Sequence, residues 1–232
     1  MMIPGFIQRG FEAALEPVVS RLIAAGVRPN AITTVGTSVL IAGGVAFGAG
    51  WVRLGGTLLL LSGVFDMLDG RVARGGGRTS KFGAFYDSTL DRVGESALFL
   101  GITLYFASGD AVPAEWRTAA VAVSVIALAG GLMVSYARAR AEGLGLECKV
   151  GIAQRAERIL LLGAPTLLFG AGPRGFLLLG VVAVLALVAL LTVVQRIRHV
   201  YRATATAPRR TTQTRWVEPA LASSSRKGRG GD

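Results

Sequence analysis

Over 232 residues the chain is 52% hydrophobic and only 17% charged, with a formal net charge of +11. A mean hydropathy of +0.54 excludes a soluble globular domain, which needs more polar surface; apolar runs of about 20 residues, enough to cross a bilayer, recur instead. The basic residues gather in alternate connections and in the C-terminal stretch, as in membrane proteins, so no nucleic-acid partner is expected.

Residues 3–25 place Ile3, Phe6, Ile7, Phe11, Leu15, Val18, Val19 and Leu22 at helical spacing, with Arg9, Glu12, Glu16 and Arg21 elsewhere. The pattern fits an amphipathic helix lying in the membrane interface, and fits an ordinary packed helix equally well. Pro17 is a position where such a helix kinks. No short apolar core followed by a small-residue cleavage site precedes it, so no removable signal peptide is expected.

Arg28-Pro29-Asn30 breaks the chain. Six apolar spans follow, over about 31–51, 54–74, 81–107, 114–142, 153–169 and 174–201. The fold class expected is all-α integral membrane: a juxtamembrane amphipathic helix over 1–28, a six-helix transmembrane domain over 29–202, and a disordered basic tail over 203–232. Arg71, Arg74, Arg78 and Lys81 load the second-to-third connection. Arg138, Arg140, Lys149, Arg155 and Arg158 load the fourth-to-fifth, while Arg53, Asp110, Glu115, Arg117 and Arg174 leave the others nearly neutral. Six spans with both termini cytoplasmic satisfy the positive-inside rule, in the inner or plasma membrane. Gly44 and Gly48 form a GxxxG in the first span, a helix-packing or weakly signalled dimer feature. The single cysteine, Cys148, reads as a packing residue and the single histidine, His199, as an interfacial anchor.

The chemistry lies in DMLDGRVARGGGRTSKFGAFYDSTLD, residues 66–91. Asp66 and Asp69 are three apart near the end of the second span, and Asp87 and Asp91 four apart near the start of the third. Each spacing puts its pair on one helical face, and the short connection brings the two faces together. Ionisable residues at membrane depth usually mark function. One such aspartate is explained by a neutralising neighbour such as Arg71, Arg74 or Arg92, but four converging carboxylates call for more positive charge. Hard divalent cations prefer oxygen ligands, and Mg²⁺ commonly joins carboxylates to substrate phosphates. Two such ions about 3.5–4 Å apart clamp both the attacking and leaving oxygens of a phosphoryl transfer. Gly70 and Ala73 leave room for a ligand or a neighbouring helix, and Arg74 supplies a fork suited to phosphate. The glycines at 75–77 read as a flexible turn.

In order, Asp66, Asp69-Gly70, Ala73-Arg74, Gly83, Asp87 and Asp91 resemble the signature of the CDP-alcohol phosphotransferase family, with all eight specified positions present. The resemblance implies six transmembrane helices preceded by an interfacial helix, in a homodimer. It implies transfer of a phosphatidyl-type group from a CDP-linked lipid such as CDP-diacylglycerol to an alcohol, with release of CMP. By position, Asp66, Asp69 and Asp87 would bind two Mg²⁺ ions, or Mn²⁺ in their place. Asp91 would ligate the second ion and act as general base. Gly70, Ala73, Arg74 and Ser80 would contact the CDP part, with Asn30 and Thr33 as further contacts.

Three basic features share the expected cytoplasmic side: SYARARAEG at 135–143, QRAER at 154–158 and QRIRH at 195–199. Arg138, Arg155, Arg158 and Arg196 suit an acceptor that itself carries phosphate, and each is also explained as a positive-inside anchor. They resemble the phosphatidylinositol phosphate synthase branch, with Arg138 where that branch has lysine and Ala156 where it has proline. Inositol phosphate is therefore the acceptor expected, with glycerol 3-phosphate as the alternative. In another class altogether, a proton or ion transporter also carries intramembrane aspartates. It would spread them along a path, whereas these four cluster at one end of two spans.

Overall fold

The computed structural model describes residues 5–109, 111–152 and 155–205, and side chains from Leu15 onward. The described residues form seven α-helices and no strand: α1 (Gly5–Ala24), α2 (Pro29–Gly48), α3 (Val52–Gly75), α4 (Lys81–Ala107), α5 (Ala114–Gly143), α6 (Arg155–Phe169) and α7 (Phe176–Ala205). The first apolar positions of the amphipathic pattern, Gln154, and the tail expected beyond Ala205 lie outside the described side chains. Ala203, Thr204 and Ala205, assigned to that tail from sequence, instead complete α7.

Helix starts and stops follow local chemistry. Pro29 opens α2 at a position where its missing N–H costs nothing. Ser80 caps α4, its extended backbone letting the side-chain oxygen accept from the Gly83 N–H at 2.9 Å. Pro17 lies inside α1, which runs on through it as one helix. α2, α5 and the segment Pro173–Ala205 are long and apolar enough to cross a membrane. α3 and α4 reach comparable length but carry the charged residues of the site, and α6 has only 15 residues.

α2 packs on both α3 and α4, α3 on α6, α4 on α5, and α5 on α7. The main core runs through Phe47, Leu59, Phe99, Ile102, Phe106, Leu178 and Val182. A second, smaller cluster joins Val19, Ile32, Leu68 and Val72, with Leu15, Leu22 and Ile23 packed against it. Leu15, Val19, Leu22 and Ile23 of α1 thus face α3, and Arg71 holds Glu16 at 3.4 Å across the same contact. Outward-facing Val45, Leu100, Ile126 and Leu187 give the bundle a lipid-compatible surface. Length, apolarity and this surface mark a membrane protein. Cys148 is fully buried and free.

The GxxxG of α2 packs within the chain. A Cβ on Gly44 would strike the Ala97 carbonyl and lie 3.1 Å from the Leu98 Cα, whereas one on Gly48 meets nothing closer than 3.6 Å. The Gly101 backbone of α4 sits against Gly44 in the same contact. Gly44→Ala should therefore destabilise the protein by about 1–3 kcal/mol, the usual cost of overpacking, while Gly48→Ala should be neutral or slightly stabilising. Thermal unfolding of the two variants in detergent checks this, and equal effects would contradict the α2–α4 packing.

Candidate active site

The carboxylates come from the last three turns of α3 and the first three of α4, brought side by side because both helices pack on α2. Asp66, Asp69 and Asp87 each offer one oxygen, and these atoms all lie within 4.8 Å of one another. Asp69 is 7% exposed, and its Oδ2 accepts from the Thr33 hydroxyl of α2 at 2.7 Å. Asp87 Oδ1 is buried with no hydrogen-bond partner. A buried, orphaned anionic oxygen is costly, and three converging carboxylates match the donor set of a hard divalent cation.

Asp91 stands one turn deeper. Its Oδ2 is paired with Arg155 of α6 and lies 3.5 Å from Arg92 Nη2. Arg155 also places its Nε 3.5 Å from Asp66 Oδ2, so one guanidinium spans both helices of the site. Asp66, Asp69, Asp91 and Arg155 line a common small cavity with Thr33, Thr37 and Ser62.

On the other side of the triad opens a cavity of about 220 Å³. All six residues expected to contact the nucleotide line it: Asn30, Thr33, Gly70, Ala73, Arg74 and Ser80. Asp69 and Asp87 line it as well. Arg78, which the sequence offered only as a loop charge, lines the cavity too and donates to the carbonyls of Gly26 (2.9 Å) and Val27 (3.2 Å). These bonds tie the α3–α4 turn to the α1–α2 turn beside the cavity. No periodicity signals such a backbone contact, since its partners lie some 50 residues away.

The four arginines expected at the acceptor are electrostatic neighbours, but only Arg155 reaches the carboxylates. Arg196 interacts with the charges of Arg138 and Arg158, and Arg92 with those of Arg155 and Arg158. Arg158 is held by Glu95 at 2.9 Å, and Arg138 by Glu142 at 2.8 Å on its own helix. Arg196 donates to the Val150 carbonyl at 3.0 Å and to that of Val134. His199 stands apart, its Nε2 3.1 Å from the Glu147 carbonyl. Glu95 belongs to the same face of α4, since Asp87, Asp91 and Glu95 repeat every four residues, a spacing visible in the sequence.

Residues 27–195 match the model of the CDP-alcohol phosphatidyltransferase family. The chain belongs to that family and is an enzyme of that class. It is 44% identical over 154 residues to the phosphatidylinositol phosphate synthase of Cutibacterium acnes, covering 66% of this chain and 72% of that one. It is 37% identical over 218 residues to the synthase of the same name from Streptomyces avermitilis, covering 89% and 85%. An archaetidylinositol phosphate synthase from Methanothermobacter thermautotrophicus matches at 37% over 188 residues, covering 81% and 89%. Among solved structures, the Mycobacterium tuberculosis phosphatidylinositol phosphate synthase with CDP-DAG bound superposes with a TM-score of 0.69 at 30% identity, covering 80% of this chain and 92% of that one. The same protein is known in complex with manganese and citrate, at TM-score 0.69 and 31% identity, covering 80% and 88%. Family membership removes the transporter reading, and the aspartate cluster fits divalent-metal binding.

Proposed function

We propose that the protein transfers the phosphatidyl group of CDP-diacylglycerol to inositol phosphate, releasing CMP. The observation that carries this is the order of the site: the nucleotide-sized cavity, then the aspartates, then Arg155 and the arginines behind it. Each region suits one part of the reaction. The names of the relatives support the same donor and acceptor.

Asp66, Asp69 and Asp87 would hold divalent metal, two Mg²⁺ ions with Mn²⁺ as the alternative and Asp91 as an added ligand. Metal held there would supply the positive charge that neutralises the diphosphate and makes CMP a better leaving group. The Thr33 hydroxyl holds Asp69 in place, while Gly70 and Ala73 leave the wall of the nucleotide cavity open and Arg74 offers its fork to phosphate. Asp91 takes the proton of the acceptor hydroxyl as that oxygen bonds to the lipid-side phosphorus. The phosphorus–oxygen bond to CMP breaks, and its electron pair leaves with CMP. Arg155, beside Asp91, meets the acceptor's own phosphate, with Arg138, Arg158 and Arg196 adding positive charge behind it.

In this reading all six helices α2–α7 cross the inner or plasma membrane of a homodimer, and α1 lies along the interface beside the site. The site faces the cytoplasm, where the loop arginines gather. Lipid tails reach it laterally from the bilayer.

The test is CMP release by purified protein with CDP-diacylglycerol and Mg²⁺ across inositol phosphate, glycerol 3-phosphate, inositol and serine. Release with inositol phosphate at a rate at least about tenfold above the others is expected, since a site built for a charged group rejects the analogue lacking it. Preference for glycerol 3-phosphate would reassign the acceptor. Release with the uncharged alcohols alone would leave the arginines without a role.

A further inference from the structure

Glu95 occupies the junction of three helices. Its side chain is 12% exposed, and its Oε1 accepts from Arg158 Nη1 of α6 at 2.9 Å. Its Oε2 lies 3.5 Å from Arg92 Nε on its own helix. Arg92 in turn donates to the Ser135 hydroxyl of α5 and lies 3.5 Å from Asp91. Gly131 of α5 makes the space for the pair, because a Cβ there would sit 2.7 Å from Glu95 Oε1 and 2.9 Å from Arg158 Nη1. One carboxylate therefore serves two half-buried guanidinium groups.

Arg155 precedes Arg158 by a single turn of α6, so both project from one face of the helix start. Whatever holds Arg158 thereby sets how far Arg155 reaches across to Asp91 and Asp66. Glu95, Arg155 and Arg158 also line a cavity of about 50 Å³ whose remaining walls include Leu59, Leu98 and Leu162. That apolar lining offers Arg158 no second anion. Removing the carboxylate would leave Arg158 without its anion, beside the charges of Arg92 and Arg155, which have Asp91 as a partner.

We propose that Glu95 is a positioning residue for the acceptor half of the site: it anchors α6 through Arg158 so that Arg155 stands beside Asp91 to receive the acceptor phosphate. This rests on the acceptor reading given above. Glu95 lines neither the nucleotide cavity nor the aspartate triad, so its effect should fall first on the acceptor, through Arg155.

The experiment compares full-length wild type, Glu95→Gln, Arg158→Met and the double variant in detergent. It reads KM for inositol phosphate, KM for CDP-diacylglycerol, kcat and Mn²⁺ affinity. Glu95→Gln should raise the acceptor KM about tenfold or more, the scale of one charge-assisted hydrogen bond, with the other two affinities within about twofold. In the Arg158→Met background the same change should add less than about twofold, since Glu95 acts through Arg158. The double variant removes opposite charges together and keeps the question answerable if Glu95→Gln alone fails to fold: its acceptor KM should then match that of Arg158→Met. An unchanged acceptor KM in folded Glu95→Gln, parallel rises in both KM values, or fully additive effects would each overturn the proposal. Wild type that releases no CMP with inositol phosphate would fail the acceptor reading, and this inference with it. A normal wild type beside an unaltered Glu95→Gln fails this inference alone.

Discussion

Asp91→Asn should lower kcat for CMP release by about 10²–10⁴-fold, the contribution of a well-placed general base. The substitution keeps the shape of the side chain and an oxygen for Arg155 and Arg92, its two partners, but leaves no group able to take the acceptor proton. Asp91 lies outside the set of three carboxylates whose oxygens fall within 4.8 Å of one another. Mn²⁺ titration of the variant should therefore show much of the wild-type affinity retained, and the rate deficit should persist at saturating metal. Asp69→Asn makes the contrast, because it removes a member of the triad and should weaken Mn²⁺ binding itself. A deficit in Asp91→Asn that disappears as metal is raised would make Asp91 a ligand only.

Arg155→Gln should separate acceptor binding from metal binding in opposite directions. Among the described residues, the Arg155 guanidinium alone pairs with both Asp66 and Asp91. Its loss should raise the acceptor KM by about 10- to 100-fold, as expected for a charge-assisted contact to phosphate. The same loss removes a positive charge that competes with a divalent ion for those carboxylates, so Mn²⁺ affinity should hold or tighten. Steady-state kinetics with the phosphorylated acceptor and a Mn²⁺ titration measure the two arms. Weaker metal binding with an unchanged acceptor KM would place Arg155 on the structural side of the site.

Much of the site is legible in the linear sequence because both pairs of aspartates sit at helical repeats and only a short connection separates them. Asp66 with Asp69, and Asp87 with Asp91, share their faces through backbone geometry alone. Gly70 and Ala73, which line the cavity beside the aspartates, belong to the same local pattern. The arginines were legible only as a group. Their spacing along three helices says nothing of which one reaches the carboxylates, since that depends on the packing of α6 on α3. Arg138 turns to Glu142 on its own helix, and Arg196 is taken up by backbone carbonyls.

The sequence by itself determined the all-helical membrane character, the helix limits near Pro29 and Ser80, and the identity of the four aspartates. Each of these follows from composition, caps or period, which act over a few residues. Tertiary structure alone decided that Gly44 serves the α2–α4 contact, that Arg155 bridges α3 and α4, and that Glu95 holds Arg92 and Arg158 together. Contacts between side chains 60 or more residues apart depend on where whole helices pack, as in Arg158 to Glu95. A buried charge must also find its partner through space, and nothing in its own stretch of chain names that partner.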